Sequence, residues 1–244
     1  PNVCAFSEKV ASLPLVHQPG EKWTYSIGMD ILGCVIERAS GVTFGTFLEE
    51  NIFGPLGMTD TFFEVPESKQ DRMIDLYGHK KSFKEFGVEL PKNLGDKKLI
   101  LLDPKEDSFF FQEASIEDGG SGLVSTARDY LKFAKMLLNE GSLEGTTILR
   151  PETVKIMTSN QVEKKAKPNR FDAFGQGVTV GIALNAKKMR MQRGNNSFFW
   201  GGAARTMFWV DPKNDLIFVN MSQVLGSPRI NNKVEKLVYK TLGL

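Results

Sequence analysis

Thr206-Met207-Phe208-Trp209-Val210-Asp211-Pro212-Lys213-Asn214-Asp215-Leu216-Ile217-Phe218-Val219-Asn220 reads as two strands around a turn. Thr206 to Val210 and Leu216 to Asn220 are rich in the β-branched and aromatic residues that suit a pleated, half-buried surface, and Asp211-Pro212-Lys213-Asn214 supplies the turn. Upstream, Val178 to Leu184 and Lys188 to Arg193 also read as strands. Downstream, Ile230, Val234, Leu237 and Val238 fall on one face of a terminal helix. The last third is therefore expected to be an antiparallel meander covered by a helix.

The rest of the chain has the helical period. Met29 to Ala39 places Ile31, Leu32, Val35 and Ile36 on one face, with Gly41 as its C-terminal stop. A second helix is predicted over Thr43 to Ile52, carrying Phe44, Phe47 and Leu48 and ending at Gly54-Pro55-Leu56-Gly57. Thr126 and Asp129 stand in capping-box spacing ahead of Tyr130, Leu131, Ala134, Leu137 and Leu138, Gly141 closes that helix, and Pro151 opens a short one through Met157. Between these zones Glu64 to Asp118 has weak periodicity, with apolar bursts at Leu99 to Leu102 and Phe109 to Phe111, and is expected to be a long excursion with short strands. Helices, then a meander, then a covering helix make an α+β layout. The expectation is one domain over 1–244, with a helical part (1–63), an irregular excursion (64–118), and a closing part of helices, meander and terminal helix (119–244).

Composition narrows the function classes. Of 244 residues 41% are apolar and 25% charged, and 31 basic residues against 29 acidic ones offer no electrostatic case for nucleic acid or an anionic membrane. The longest apolar runs fall far short of the roughly 20 residues of a membrane helix. Cys4 and Cys34 are too few for a disulfide framework, and Cys34, inside a helical pattern, reads as a buried free thiol. With His17 and His79 the only histidines, no Cys/His metal site and no cofactor are expected. The two histidines read as surface or loop residues, Trp23 and Trp209 as packing, Asp30 as a helix-start charge or a bond to local backbone rather than a catalytic acid, and Lys80-Lys81, Lys97-Lys98 and Lys164-Lys165 as solvated faces.

Two segments stand out: Trp23-Thr24-Tyr25-Ser26 before the first confident helix, and Phe199-Trp200-Gly201-Gly202-Ala203-Ala204 between strands. Singly, Tyr25 reads as a core aromatic and the glycine pair as a strand bulge. Taken in order, Pro19-Gly20, Trp23 through Gly33, Pro55-Leu56-Gly57-Met58, Gly119-Gly120-Ser121-Gly122-Leu123, Trp200-Gly201-Gly202 and Asp211-Pro212 cover most of the chain. This ordered set resembles the serine β-lactamase and penicillin-binding-protein superfamily, and most closely its class C-like esterase branch, the family VIII carboxylesterases.

The resemblance implies a β-lactamase/transpeptidase-like fold and an acyl-enzyme mechanism. A Ser in S-x-x-K is acylated, its Lys and a Tyr share the proton work, and a third motif on an edge strand lines the cleft. Tyr25 matches the Tyr; a phenol acts as a base near neutrality only beside a cation or by relaying through the Lys. Ile27 stands where Tyr-x-Asn has its Asn, which argues against efficient β-lactam hydrolysis. Trp200-Gly201-Gly202 matches the Lys-Thr-Gly or His-Thr-Gly motif, with Trp200 replacing the cation that attracts substrate carboxylates and so pointing to neutral esters. The Ala203 N–H matches the oxyanion-hole donor, the glycines are expected to allow close approach of substrate, and Ser121 is expected in a turn lining the cleft. On a regular strand Arg205 would have opposite parity to Trp200 and face away.

No S-x-x-K occurs in the sequence; Ser7-Glu8-Lys9, Ser68-Lys69 and Ser82-Phe83-Lys84 have the wrong spacing. The nucleophile, its Lys and the first strands are expected upstream of Pro1. That leaves an open apolar edge near Leu216 to Asn220 unless a complementing N-terminal segment or chain covers it. The leading expectation is a serine hydrolase acting on a small ester or amide. A nucleophile-free binding or scaffold module and an acyltransferase or D-amino-acid peptidase of the same superfamily stay open.

Overall fold

The computed structural model describes residues 2–79, 99–163, 166, 172–226 and 230–244. Its helices are α1 (Val3–Ala11), α2 (Gly28–Ser40), α3 (Phe44–Leu48), α4 (Ala127–Leu138), α5 (Pro151–Met157) and α6 (Ile230–Leu242). Its strands are β1 (Leu76–His79), β2 (Leu99–Asp103), β3 (Ser142–Leu143), β4 (Thr146–Thr147), β5 (Phe174–Gln176), β6 (Gly181–Ala183), β7 (Phe198–Gly201), β8 (Thr206–Asp211), β9 (Leu216–Met221) and β10 (Val224–Leu225). The three lysine pairs named above lie outside the described residues, as do residues 80–98 of the excursion.

The expected hairpin is present. β8 and β9 pair antiparallel from Thr206↔Met221 to Asp211↔Leu216. It belongs to a five-stranded sheet in the order β5-β6-β7-β8-β9, which leaves β9 at an edge. Helix α4 packs on β8 and β9, and Phe44, Leu48, Phe53, Ala134, Met136, Ile182, Phe198, Phe208 and Val210 form one apolar cluster shared by the helices and the sheet.

Four strand readings change, the first being Val178 to Leu184, of which only β6 (Gly181–Ala183) is strand. Lys188 to Arg193 is a run of turns: Asn185 Oδ1 accepts the Lys188 N–H (2.9 Å), Asn195 Oδ1 accepts the Ala186 N–H (2.9 Å), and Met191 N–H reaches Ala186 O (3.0 Å). Asn side chains that satisfy local backbone in this way compete with a ladder. Of Phe199 to Ala204, placed between strands by local pattern, Phe199 to Gly201 belong to β7, which pairs with β8. Of the excursion, β1 and β2 pair antiparallel and β1 takes β10 as a parallel neighbour, whereas Phe109–Phe111 is a 3-10 turn.

The helices hold with adjustments. Gly41 closes α2 in the left-handed region (φ 78°), its N–H donating to Glu37 O. The second helix shortens to α3 and passes into a π-type turn, Glu49–Phe53. Thr126 caps α4 by accepting the Asp129 N–H (3.2 Å), but the Asp129 carboxylate turns away from the cap and takes Asp60 N–H (2.6 Å) and Thr61 Oγ1 (3.2 Å). Helix α6 presents Glu235 and Tyr239 inward and leaves Leu237 62% exposed, a rotation from the face its apolar residues predict.

Cys34 is not a free thiol. It is bonded to Cys4, joining α1 to α2 across a sequence separation of 30. Closing a loop of that length restricts the unfolded chain by about 3.6 kcal/mol in the chain-entropy model. Reductant is therefore expected to lower the melting temperature by roughly 7–14 °C, measured by calorimetry with and without dithiothreitol; an unchanged transition would show that the link contributes nothing.

Candidate active site

Tyr25 lies in the irregular stretch that enters α2. Trp23 N–H donates to Ala166 O (2.9 Å), and His17 Nε2 bonds Thr24 Oγ1 at 2.8 Å, so both residues before Tyr25 are tied down. His17 thus has a structural partner rather than a free surface position. Ile27 occupies the N-cap of α2 with no side-chain cap; its carbonyl accepts Asp30 and Ile31 N–H instead. Tyr25 is 71% exposed and Ile27 38%.

The Trp200 segment lies far away in sequence and next to Tyr25 in space. The two rings are tilted by 36° with centroids 6.0 Å apart, so the fold brings together the two motifs singled out in the sequence. Strand β7 pairs with β6 only at Phe198 and Phe199, and Trp200 and Gly201 pair with β8 alone. The motif is thus an edge over its last two residues, not over the whole strand.

The backbone beyond Gly201 turns sharply. Gly202 N–H donates to Thr206 O (2.9 Å) and Arg205 N–H to Gly202 O (3.1 Å). A Cβ on Gly202 would lie 2.4 Å from Thr206 Oγ1, so a side chain here would have to displace the Thr206 hydroxyl. Arg205 has φ 66°, and no regular strand carries it past Trp200; the parity argument does not apply. From behind, Asn220 Nδ2 (3.0 Å) and Ser222 Oγ (2.8 Å) donate to Arg205 O, and Val224 N–H donates to Ala204 O (3.0 Å). Ala203 is exposed, and among the described residues its N–H has no acceptor. The turn is thus braced through the Ala204 and Arg205 carbonyls, while the Ala203 N–H between Gly202 and Ala204 is left unpaired among the described residues.

Ser121 is also exposed. Its Oγ donates to Asp118 Oδ2 (2.6 Å), and Asp118 Oδ1 accepts Gly120 N–H (2.6 Å) and Ser121 N–H (3.2 Å). Ser121 is thereby bound into a tight turn. The turn closes on α2: a Cβ on Gly119 would lie 2.4 Å from Met29 O, and Gly120 N–H also reaches Asp30 Oδ1 at 2.9 Å. Asp30 is more than a helix-start charge. Burial, and then a hydrogen bond with Asp118, push its carboxyl up to about 6. Burial acts on Asp118 in the same direction, but hydrogen bonds from Asp30, Ser121 and Gly120 outweigh it and hold Asp118 below the usual carboxylate range. Sequence reasoning missed this pair, because its members lie on separate elements with no shared motif.

Among the described residues no three His, Cys, Asp or Glu side chains converge to hold a metal ion, and no single helix is long and apolar enough to cross a membrane.

A helical zone over an antiparallel sheet, with a Tyr entering a helix opposite a Trp-Gly-Gly strand end, defines the β-lactamase/transpeptidase-like class of fold. The chain belongs to the Beta-lactamase family, whose model matches residues 5–241, a family of serine hydrolase and acyltransferase type. It is 30% identical over 262 aligned positions to protein Rv1367c of Mycobacterium tuberculosis, covering 96% of this chain and 61% of that protein. It is 28% identical to the lovastatin esterase of Penicillium rubens, covering 89% of this chain and 54% of the other. The simvastatin synthase of Aspergillus terreus, in a mutant form, superimposes with a TM-score of 0.77 at 25% identity, over 99% of this chain and 60% of that one. The chain thus spans little more than half the length of the proteins it matches.

Proposed function

We propose that this chain is the larger part of an esterase-type serine hydrolase that cleaves neutral esters through an acyl-enzyme on a serine outside these 244 residues. The observation that carries the reading is the Tyr25–Trp200 ring contact of 6.0 Å beside the free Ala203 N–H. In the reaction the serine Oγ attacks the ester carbonyl carbon and gives its proton to the Tyr25–Lys relay. The oxyanion is held by the Ala203 N–H and the nucleophile's own N–H, and the alcohol departs with the relayed proton. Water then attacks the acyl carbon, with Tyr25 as base, and restores the serine. Trp200 offers the acyl group an apolar wall and no counter-ion for a carboxylate.

Two surfaces support a complementing segment. Helix α2 leaves Ile31, Leu32 and Val35 between 36% and 54% exposed, and β9 offers unpaired backbone at the sheet edge. Apolar residues in register on one helix face are normally buried against something.

A fluorophosphonate serine probe tests the reading on the full-length natural product and on this chain side by side. Labelling of the longer product alone, on a serine upstream of Pro1, is the expected result. No labelling of either would replace the reading with a binding module built around Trp200. The relatives include both an esterase and a synthase, so an alcohol acceptor in place of water is the second reading, and acyl transfer in the presence of added alcohol distinguishes them.

Replacing Trp200 with Lys is expected to lower KM for a carboxylate-bearing ester roughly tenfold, the weight of one charge-assisted hydrogen bond, while KM for its neutral analogue rises or stays. Equal changes for both esters would mean that Trp200 does not face the acyl group.

A further inference from the structure

We infer that Asp30 and Asp118 form a proton-sharing clasp that positions the Gly119–Leu123 turn against the first turn of α2, and so shapes one wall of the cleft entered by Tyr25. The inference deepens the esterase reading and rests on it only for the cleft. The clasp itself stands on geometry. Both carboxylates converge on a single donor, the Gly120 N–H, with Asp30 Oδ1 at 2.9 Å and Asp118 Oδ1 at 2.6 Å. Two ionised carboxylates at one N–H repel each other; with one proton between them the repulsion becomes a hydrogen bond. Both side chains are half-buried, which strengthens either outcome.

The surroundings leave the pair on its own. Glu117, the neighbouring acid, is turned to α3, where it accepts Gly45 N–H at 2.6 Å. Among the described residues neither Asp30 nor Asp118 has a Lys, Arg or His ion-pair partner. From α2 the group facing the pair is Asp30 itself; from the turn they are Asp118 and the neutral Ser121 hydroxyl.

The clasp reaches the Tyr25 segment through backbone. Asp30 N–H donates to Ile27 O (3.2 Å), two residues after Tyr25, and Gly119 abuts Met29 O too closely for any side chain. Because Ile27 offers α2 no side-chain cap, Asp30 is the side chain that ties this first turn to a second element. Asp30 and Asp118 are positioning residues; neither is placed on the reacting atoms.

The sign follows from the protonation states. Asp30 titrates above its unfolded value, so its contribution is complete below about pH 4 and is lost as pH rises through about 6. Asp118, held low, contributes in the opposite sense and fails only in stronger acid. The clasp is therefore closed in mildly acidic solution and loosens above pH 6.

The amide of Gly120 reports the state directly. In a 15N-labelled sample titrated from pH 4 to 8, its proton shift is expected to move with a midpoint near 6, and its hydrogen-exchange protection to fall two- to tenfold more than base catalysis accounts for, as one hydrogen bond weakens. In Asp30→Asn the amide donates to Asp118 at every pH, so the midpoint vanishes and protection persists. In Asp118→Asn the Asp30 carboxylate gains a donor and its midpoint drops well below 6. In the full-length esterase, KM for a neutral ester is expected to rise two- to tenfold across the same range in the wild type and to stay flat in Asp30→Asn, with kcat little changed. A Gly120 shift that does not titrate, a midpoint identical in Asp30→Asn, or a titrating Gly120 with a flat KM profile would each overturn the inference. Absence of any esterase activity would instead count against the function proposed above and leave the Gly120 titration to decide the clasp.

Discussion

Replacing Tyr25 with Phe is expected to cut kcat/KM for neutral esters by roughly 10²–10⁴ in the full-length protein, the contribution typical of a positioned acid–base group. The change removes one oxygen and keeps the ring. Tyr25 is 71% exposed and touches Trp200 through its ring face, so little packing is lost and the melting temperature should stay within about 1 °C. In the proposed mechanism both stages use the same base, so the rate of covalent labelling by a fluorophosphonate should fall along with deacylation. Turnover that survives the substitution would sink the role assigned to Tyr25. A parallel loss of stability would mean that the hydroxyl is structural.

The second large effect belongs to the interior beneath α6. Arg193 and Glu235 are 2% and 5% exposed at their side chains, with Nη2 and Oε2 3.5 Å apart. Glu235 Oε1 also accepts the Gln192 (2.8 Å) and Arg193 (3.3 Å) N–H groups, and the guanidinium lies 4.5 Å from the centre of the Phe199 ring and 5.6 Å from that of Trp209. Burial disfavours the charge on Arg193, and Glu235 opposes that burden. Glu235→Ala strands the cation and two backbone donors together, and is expected to destabilise the fold by about 3–5 kcal/mol, or roughly 6–20 °C in melting temperature. Replacing both partners, as Arg193→Met with Glu235→Gln, should recover most of that loss, because no charge is left buried and the Gln side-chain oxygen can still accept the two backbone N–H groups. A single substitution costing less than about 1 kcal/mol would mean that water reaches the site.

These two examples also show how much the chain disclosed before folding. The β8–β9 hairpin was legible because its alternation and turn chemistry agree locally, and α2 and α4 because apolar spacing, caps and terminal glycines agree. Lys188 to Arg193 misled because Met189 and Met191 alternate like strand residues, whereas the conformation is set by the Asn185 and Asn195 side chains. The same segment delivers Arg193 to Glu235, and that pair, together with Tyr239 donating to Asp211 at 2.6 Å, rotates α6 away from its apolar stripe. Polar interactions made at long range leave no periodic trace. Cys4 and Cys34 likewise meet only because α1 packs on α2. Of the candidate site, Tyr25 and Trp200 were found through the ordered motif set rather than through local pattern, and Asp30 with Asp118 escaped both routes.

The parallel pairing of β1 with β10, Tyr77 opposite Val224, bears on the order of assembly. Val224 is also the residue whose N–H donates to Ala204 O, so the turn carrying Ala203 receives part of its brace from a strand whose neighbour emerged more than half a chain earlier. Contacts of such high sequence separation form late, after local helices and hairpins, because the closure entropy precedes any reward. A chain still being synthesised can hold a formed α2 and its Tyr25 segment while the opposite wall does not yet exist. The turn that carries Ala203 therefore gains this part of its brace late, and a product truncated before β10 would keep most of its helices and lack the Val224 bond to Ala204.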